Sequence, residues 1–333
     1  MSLRLHGDTL AAPGMLDFAV NVWPAPRSPA LQRALEAALA GDRYPDEAPA
    51  RRAIAARHGR PAGEVLAANG ACDVFWLLAH VLRPRVAACV HPAFTEPERA
   101  LRAAGADVVR VLRRPPAWAF DPADVPDDAE LVVLGNPNNP TGGLDDPEAI
   151  LALVRPGRLV VVDESFMDFA GDERRSLAAR RDPGVAVVRS LTKLWSLAGV
   201  RAGYLVGSAE LVARLDAGRQ PWSVNALACA ALEACAADGE TPRTVAEQVG
   251  RARERLLHGL GSIAGVRAWP SSANFVLLHV RDGRTVVALL REAGIAVRPC
   301  GSFPGLGDDF IRVAVRSPAD NDRLVAALRE AVA

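Results

Sequence analysis

Between residues 65 and 206 the chain alternates short, wholly apolar runs with longer amphipathic stretches. The runs at 131–134 and 159–162 are apolar at consecutive positions, which is typical of strands that are covered on both faces. Such strands occur in mostly parallel sheets with helices on each side, so the pattern predicts an α/β fold. The predicted strands are 65–68, 86–90, 107–112, 131–134, 159–162, 185–188 and 202–206, and the amphipathic stretches between them include 73–82, 96–104, 146–154 and 173–180.

The pattern differs on both sides of this region. A proline-rich start and a predicted helix at 28–40 precede it. After about residue 221, helical patterns at 225–237 and 244–259 lead into a strand–strand–helix–strand–strand–helix order, with strands at 266–269, 274–279, 295–298 and 310–315. The chain is therefore predicted to comprise an N-terminal arm (1–44) that packs with the small domain or a partner subunit, a large domain (45–220) and a smaller α+β domain (221–333).

Charge and cysteine usage exclude several classes of function. The 39 basic and 39 acidic residues give a formal net charge of zero, which argues against nucleic acid or an anionic membrane surface as the main partner. No apolar run approaches the ~18 residues needed to span a bilayer, and residues 1–18 lack the apolar core of a signal peptide. The cysteines show no Cys-x-x-Cys spacing, so neither a zinc site nor a disulfide framework is expected. We expect a cytoplasmic protein without a metal.

Lys193 is the only lysine among the 39 basic residues. Arginine supplies surface charge, ion pairs and phosphate contacts as well as lysine does in most settings. Its guanidinium stays protonated in proteins, so it cannot act as a nucleophilic amine. One retained lysine therefore indicates either chemistry that needs a neutral amine, most commonly imine formation with a carbonyl, or the chance survival of an exposed side chain.

Polar side chains surround Lys193 in the sequence. Ser190 and Thr192 precede it at the end of a predicted strand, and Arg201 follows eight residues later. Hydroxyls and an arginine near a loop are good phosphate ligands. A lysine beside them would face a phosphorylated carbonyl compound, a description that pyridoxal phosphate (PLP) meets. The alternative is a strand-to-loop turn with incidental polar residues.

Three further segments place polar groups at the ends of predicted strands. Asn139 lies in Asn-Pro-Asn-Asn-Pro-Thr-Gly directly after 131–134, at the sheet edge where ligands bind in open α/β folds. Asp163 ends an apolar strand, where a carboxylate is unfavourable unless it is paired with a pyridinium nitrogen, a helix cap or an arginine. A strand–turn–helix at 68–73 aims backbone N–H groups at an anion, although many such turns contain glycine.

In this order, the four segments resemble the fold-type I PLP-dependent enzymes of the aminotransferase class I/II family, and the likeness covers nearly the whole chain. The motifs are Asn-Pro-Asn-Asn-Pro-Thr-Gly, Val-Asp-Glu-Ser-Phe, and Ser-Leu-Thr-Lys followed by Gly-Val-Arg-Ala-Gly-Tyr. The chain looks most like the branch that holds histidinol-phosphate aminotransferases and the threonine-phosphate decarboxylases of cobalamin biosynthesis. The resemblance implies a large PLP-binding domain with a mostly parallel mixed sheet and a smaller C-terminal α+β domain.

The resemblance also implies roles for individual residues. Lys193 would form an imine with the cofactor and shuttle protons at the substrate carbon, and Asp163 would pair with the pyridinium nitrogen. Asn139 would donate to the phenolic oxygen of the cofactor, and Phe94 would stack on its ring. The cofactor phosphate would be held by backbone N–H groups and side chains of Gly70, Ala71, Cys72, Ser190, Thr192 and Arg201.

Contacts with the substrate and with a second subunit follow from the same resemblance. Tyr44, in Arg-Tyr-Pro-Asp, matches a tyrosine that reaches the cofactor phosphate of the neighbouring subunit, which implies a homodimer with shared active sites. Residues expected to bind the substrate are Arg312, Arg298, His6 and Asn21. For the two arginines, the ordinary alternative is a solvated charge at the end of a strand; for His6, it is a loose terminal histidine.

Two positions depart from the family pattern. Phe166 stands where most aminotransferases of the group have tyrosine, which favours the decarboxylase branch. Trp23 replaces a polar residue expected near the substrate. Decarboxylation of L-threonine O-3-phosphate is therefore the first expectation, and aminotransfer on histidinol phosphate is the alternative. A non-enzymatic PLP-binding regulator is a remote alternative, because such proteins carry an N-terminal helix-turn-helix domain, whereas about forty residues without a basic surplus precede the match here. A nucleotide-binding protein is disfavoured because the sequence lacks a phosphate-loop motif.

Overall fold

The computed structural model describes residues 7–24 and 27–333. Its strands are β1 (Leu16–Asp17), β2 (Val65–Ala68), β3 (Val86–His91), β4 (Asp107–Leu112), β5 (Leu131–Gly135), β6 (Leu159–Asp163), β7 (Val185–Ser190), β8 (Gly203–Val206), β9 (Val266–Ala268), β10 (Phe275–Val280), β11 (Ile295–Ala296), β12 (Arg298–Pro299) and β13 (Phe310–Ala314). Its α-helices are α1 (Pro29–Ala40), α2 (Ala48–His58), α3 (Ala71–Leu82), α4 (Glu96–Ala103), α5 (Pro147–Leu151), α6 (Ala209–Ala217), α7 (Ala226–Ala237), α8 (Glu240–Gly261), α9 (Gly283–Glu292) and α10 (Pro318–Ala331). No helix in this described part combines the length and the apolar surface that crossing a membrane requires.

The larger sheet has the strand order β2-β8-β7-β6-β5-β3-β4. Strands β7, β6, β5, β3 and β4 run parallel to one another, whereas β8 is antiparallel to both β7 and β2. All the strands predicted between 65 and 206 lie in this sheet, with ends within two residues of the predicted ones. The mostly parallel mixed sheet expected from the consecutive apolar runs is thus confirmed.

Both faces of the larger sheet are covered, which explains the unbroken apolar runs. In β6, Val161 belongs to the cluster that contains Phe75 of α3, whereas Val160 and Val162 belong to the cluster on the other face with Ile150 of α5. Each fully buried valine contributes about 1.5–3 kcal/mol by leaving water. Because side chains alternate between faces, a strand with a cluster on each side needs apolar residues at every position.

The smaller sheet is antiparallel and has the order β12-β13-β10-β9. Helices α8 and α9 pack against it, and α10 packs on these two helices, with leucines of all three in the largest core cluster. The prediction of a single strand at 295–298 is wrong, because this segment is divided between two sheets. Ile295–Ala296 pairs with β1, and Arg298–Pro299 pairs with β13.

The arm is held by hydrogen bonds to β11 and to the residue that follows β13. The N–H groups of Leu16 and Phe18 donate to the carbonyls of Gly294 and Ala296, at 2.9 and 2.8 Å. Arg316, which follows β13, donates through its three nitrogens to the carbonyls of Asp17, Val22 and Val20, at 2.7, 2.7 and 2.5 Å. A guanidinium shared among three carbonyls fixes the path of the segment between residues 17 and 22.

Residues 173–180 do not form an α-helix, and only Glu173–Arg175 makes a 3-10 turn. A buried arginine explains the difference. Arg189 of β7 donates to Glu173 at 2.5 Å and to Ser176 at 2.8 Å, and it also pairs with Glu164 at 2.9 Å. Because an unpaired buried charge is strongly unfavourable, these bonds override the helical periodicity of the segment.

Helix α7 follows residue 221 but packs against α1 and α2 rather than on the small sheet. The division into residues 1–44, 45–220 and 221–333 therefore stays a prediction.

Candidate active site

A cavity of about 290 Å³ opens at the carboxyl ends of β5, β6 and β7, between the large sheet, the small sheet and the arm. This is the edge at which open α/β folds bind ligands. The cavity brings together most of the site residues predicted from the sequence: Asn21, Ala71, Cys72, Phe94, Asn139, Asp163, Ser190, Thr192, Lys193, Arg201, Arg298 and Arg312.

Asp163 is the last residue of β6 and lies at the cavity wall. Its Oδ1 accepts hydrogen bonds from the backbone N–H and the hydroxyl of Ser165, at 3.0 and 2.5 Å. Burial raises the pKa of this carboxyl group, against the opposing effects of Ser165 and Lys193. A cationic ligand beside Asp163 would relieve the cost of burying its charge.

Lys193 follows β7 and lies in the same cavity. Burial lowers the pKa of its amine to about 8, with further contributions from Arg312 and Arg201 and against the opposing effect of Asp163. The backbone carbonyl of Lys193 accepts from the N–H of Trp23 at 2.9 Å, which ties the arm to the loop that carries the amine. An amine with a lowered pKa is available as a nucleophile near neutral pH.

A group of potential anion ligands, here called the anion cradle, lies at the start of α3. It comprises the N–H groups of the first turn of α3 together with Ser190, Thr192 and Arg201. Gly70 caps this helix with a φ of +89°, a conformation that favours glycine, and the N–H groups of the first turn lack helical acceptors. Gly203 of β8 makes the close approach possible, since a Cβ there would lie 2.7 Å from the nitrogen of Ala71. The guanidinium of Arg201 lies against Gly70, and the hydroxyl of Ser190 accepts from the N–H of Thr192 at 3.2 Å. Together these groups form a site suited to a phosphate.

Asn139 and Arg312 meet across the cavity. Nη1 of Arg312 donates to Oδ1 of Asn139 at 2.6 Å, and Nη2 donates to the carbonyl of Ala19 at 2.6 Å. The guanidinium also lies over the ring of Phe275, 5.3 Å from its centroid. Because Oδ1 of Asn139 is occupied, its amide NH2 remains to donate to a ligand.

Arg298 is the cross-strand partner of Arg312 in the pair β12–β13. Both side chains are buried, and Arg298 is held by Ser302 at 2.7 Å and lies over the ring of Phe303. Like charges directly opposite each other destabilise a sheet. This pair of arginines therefore favours an anionic ligand in the cavity.

Three predicted residues lie elsewhere or are not described. Gly70 precedes the cavity wall as the cap of α3 but does not line it. Tyr44 is 75% exposed and stacks on Trp222 outside the cavity. His6 lies outside the described residues. Trp23, which departs from the family pattern, packs against the core and does not line the cavity.

The cavity also contains residues that the sequence analysis did not assign, among them Asp8, Ser165 and Phe303. Ser165 could have been found, because it follows Asp163 by two residues and a serine there can cap the carboxylate. Asp8 and Phe303 carry no local signal, since only the return of the arm and the small sheet brings them to the cavity.

The residues present fit PLP. A half-buried carboxylate at the end of β6 suits a pyridinium nitrogen, the first turn of α3 suits a phosphate, and the amine of Lys193 suits an aldehyde. Phe94 also lines this cavity. Fold and cavity together define a fold-type I PLP-dependent enzyme.

Comparison with known proteins supports the same class of enzyme. The family model described as Aminotransferase class I and II matches residues 14–328, and the chain belongs to this family. It is 45% identical to a histidinol-phosphate aminotransferase from Mycobacterium tuberculosis, over 98% of this chain and 90% of the other. It is 34% identical to the threonine-phosphate decarboxylase of Salmonella typhimurium, over 95% and 90%. The solved histidinol-phosphate aminotransferase of Clostridium acetobutylicum superposes with a TM-score of 0.88 at 25% identity, covering 95% of this chain and 98% of the other.

The chain is therefore a PLP-dependent enzyme of the branch that contains these aminotransferases and decarboxylases. When bound, PLP supplies an aldehyde for an amine and a ring that withdraws electrons from the substrate α-carbon. Asp163, Lys193, Arg298 and Arg312 line the one cavity that would receive it, the first as a carboxylate for the ring nitrogen, the second as an amine, and the two arginines as partners for an anionic substrate.

Proposed function

We propose that the chain decarboxylates L-threonine O-3-phosphate. The observation that carries this proposal is the buried pair Arg298 and Arg312, which stand directly opposite each other in β12 and β13. Threonine phosphate has its carboxylate and its phosphate on adjacent carbons, so two neighbouring guanidiniums suit it. Guanidinium groups bind both of these anions bidentately where geometry allows.

Orientation selects the reaction in this class of enzyme. The bond at the α-carbon that lies perpendicular to the cofactor ring is the one that breaks. In the proposed reaction this is the bond to the carboxylate: CO2 leaves, and the α-carbon takes up one proton to give 1-amino-2-propanol O-phosphate. Nζ of Lys193 is the group proposed to supply that proton, because it lies in the cavity with a lowered pKa.

Phe166 supports the same proposal. Its ring lines the cavity and packs edge-on against Phe275, with centroids 5.0 Å apart. A phenylalanine offers no hydroxyl to the cofactor oxygen, in contrast to the tyrosine that most aminotransferases of the group carry.

The second candidate is aminotransfer between histidinol phosphate and 2-oxoglutarate. It is favoured by the relatives at 45% identity, which bear the name histidinol-phosphate aminotransferase. The same arginines would then bind the phosphate in one half-reaction and the carboxylates of glutamate in the other.

Product analysis distinguishes the two candidates. The purified holoenzyme is incubated with threonine phosphate alone, and separately with histidinol phosphate and 2-oxoglutarate. We expect CO2 and 1-amino-2-propanol O-phosphate from the first mixture, with no need for an oxo acid. Formation of glutamate from the second mixture, without CO2 from the first, would overturn the proposal in favour of aminotransfer.

We further propose a cytoplasmic homodimer in which Tyr44 of each subunit completes the phosphate site of the other. The support is its position: the side chain is 75% exposed and does not line the cavity of its own subunit. Light scattering on the purified protein gives the mass of the assembly, and a monomer would contradict this proposal.

A further inference from the structure

Two large aromatic side chains stack on each other at the surface. The rings of Tyr44 and Trp222 have centroids 4.4 Å apart and planes inclined by 20°. Tyr44 is 75% exposed and Trp222 is 59% exposed. Two adjoining aromatic rings left this open to water are typical of a surface that a partner covers.

The backbone of Trp222 is unusual. Its φ is +54°, a region that bulky side chains rarely occupy. Such a conformation is unfavourable and persists only where the surroundings impose it.

The loop that carries Trp222 is fastened to the anion cradle. The side-chain amide of Asn69, the residue before Gly70, donates to the carbonyl of Ser223 at 2.5 Å. Oδ1 of Asn69 accepts from the N–H and the amide of Asn225, at 3.1 and 2.8 Å. Trp222 is thus held at a fixed distance from the turn that receives the cofactor phosphate.

The other end of the loop is fastened as well. Arg219 donates to the carbonyl of Ala67 at 2.7 Å and pairs with Glu47 at 2.6 Å. Glu47 lies three residues after Tyr44, so the same arginine ties the loop to the segment that carries the tyrosine. Both rings of the stack therefore rest on backbone that is anchored close to the cradle.

We propose that Trp222 is a positioning residue: its indole holds the ring of Tyr44 so that the phenol reaches the cofactor phosphate of a second copy of this chain. The inference rests on the proposed homodimer with shared sites. A tyrosine at the end of a loop loses side-chain freedom when it reaches across an interface. Stacking on a fixed indole reduces that loss before the two subunits meet.

The first test measures PLP affinity. Trp222→Leu keeps an apolar side chain but removes the ring, and Trp222→Phe keeps a ring. We expect the leucine variant to bind PLP about 3- to 10-fold more weakly, since aromatic pairs gain this much beyond simple burial, and the phenylalanine variant to stay close to the parent. Leu289→Ala, an exposed apolar truncation outside this pair, is the matched control and should not change affinity. Equal losses for both Trp222 variants would overturn the proposal.

The second test asks in which subunit Trp222 acts. Mixed dimers are formed between Trp222→Leu and Lys193→Ala, so that the one intact lysine faces a Tyr44–Trp222 pair from the other subunit. We expect that site to recover parental PLP affinity, as it should in a parallel mixture of Tyr44→Phe with Lys193→Ala. Failure of Trp222→Leu alone to recover would show that Trp222 acts within its own subunit and would overturn the inference. Failure of both mixtures would instead overturn the proposal of shared sites.

Discussion

The guanidinium of Arg312 and the side-chain oxygen of Asn139 are joined by a hydrogen bond of 2.6 Å, which connects β13 of the small sheet to the loop after β5 of the large one. One contact therefore links the residue proposed to bind the substrate to the residue proposed to bind the cofactor oxygen.

Arg312→Gln should lower kcat/KM by about 10²- to 10³-fold, because truncating one side of a buried charged contact leaves the ligand anion without a partner. Arg312→Lys should recover only part of this loss, since an ammonium cannot form two parallel bonds to an anion. Steady-state kinetics with threonine phosphate measure both. Arg267→Gln, on the same sheet but outside the cavity, is the control and should retain parental activity.

The amine of Lys193 should titrate near pH 8, well below the ordinary value for lysine, because burial and two arginines disfavour its charged form. In cofactor-free protein, acylation of Lys193 by acetic anhydride should rise with pH and level off above about pH 8. Mass spectrometry of the single lysine peptide gives the rate, with the N-terminal amine as an internal reference. If the pH midpoint of the acylation rate were near that of a free lysine, the pKa of the amine would not be lowered. Bound PLP should protect the amine from acylation.

Gly203→Ala should weaken PLP binding, because the new Cβ would meet the nitrogen of Ala71 at 2.7 Å and displace the cradle. We expect PLP affinity to fall by at least about 10-fold, because the displacement would break a charge-assisted hydrogen bond to the phosphate. Gly199→Ala is the matched control, since its Cβ would meet nothing within 4 Å. Fluorescence titration of the cofactor-free proteins measures both, and equal affinities would contradict the role given to Gly203.

His58 should make the fold sensitive to acid. Its Nε2 lies 2.9 Å from the hydroxyl of Tyr204, and burial together with Arg189, Arg57 and Arg60 lowers its pKa from 6.5 to about 3. The unfolded chain therefore binds this proton more readily than the folded one. The contribution of His58 to the free energy of unfolding is fully present above pH 6.5. It is lost as the pH falls toward 3, by up to about 1.4 kcal/mol per pH unit.

Urea unfolding at several pH values tests this expectation. His58→Gln should lose less stability than the parent between pH 6.5 and pH 4.5, because its side chain does not titrate. His80→Gln, at an exposed position, should follow the parent curve. Parallel curves for the parent and the His58 variant would rule out a buried neutral histidine as a source of the acid sensitivity.

Much of the fold and of the candidate site could be predicted from local sequence. Strands of the large sheet were predictable because their two covered faces require apolar residues at consecutive positions. Asn139, Asp163 and Lys193 were predictable because each lies at or shortly after the carboxyl end of such a strand, and parallel strands present these ends at one edge.

Helices α2 and α6 were not predicted. A long-range contact explains another difference: residues 173–180 do not form the predicted helix, because they pair with the buried charge of Arg189. The path of the arm was not predictable, because it is set by Arg316, which donates to the carbonyl of Val22 from far along the chain. No periodicity in a sequence reports a bond between residues nearly 300 positions apart.

The three hydrogen bonds of Arg316 hold the arm to the small-sheet half of the molecule. Asn21, Arg298 and Arg312 all sit on the arm or the small sheet, whereas Asp163 and Lys193 sit on the large sheet. The boundary between the two halves thus separates the residues proposed to bind the substrate from those proposed to hold PLP. On that proposal, we expect product to leave by a slight separation along this boundary while the cofactor stays bound to the large sheet.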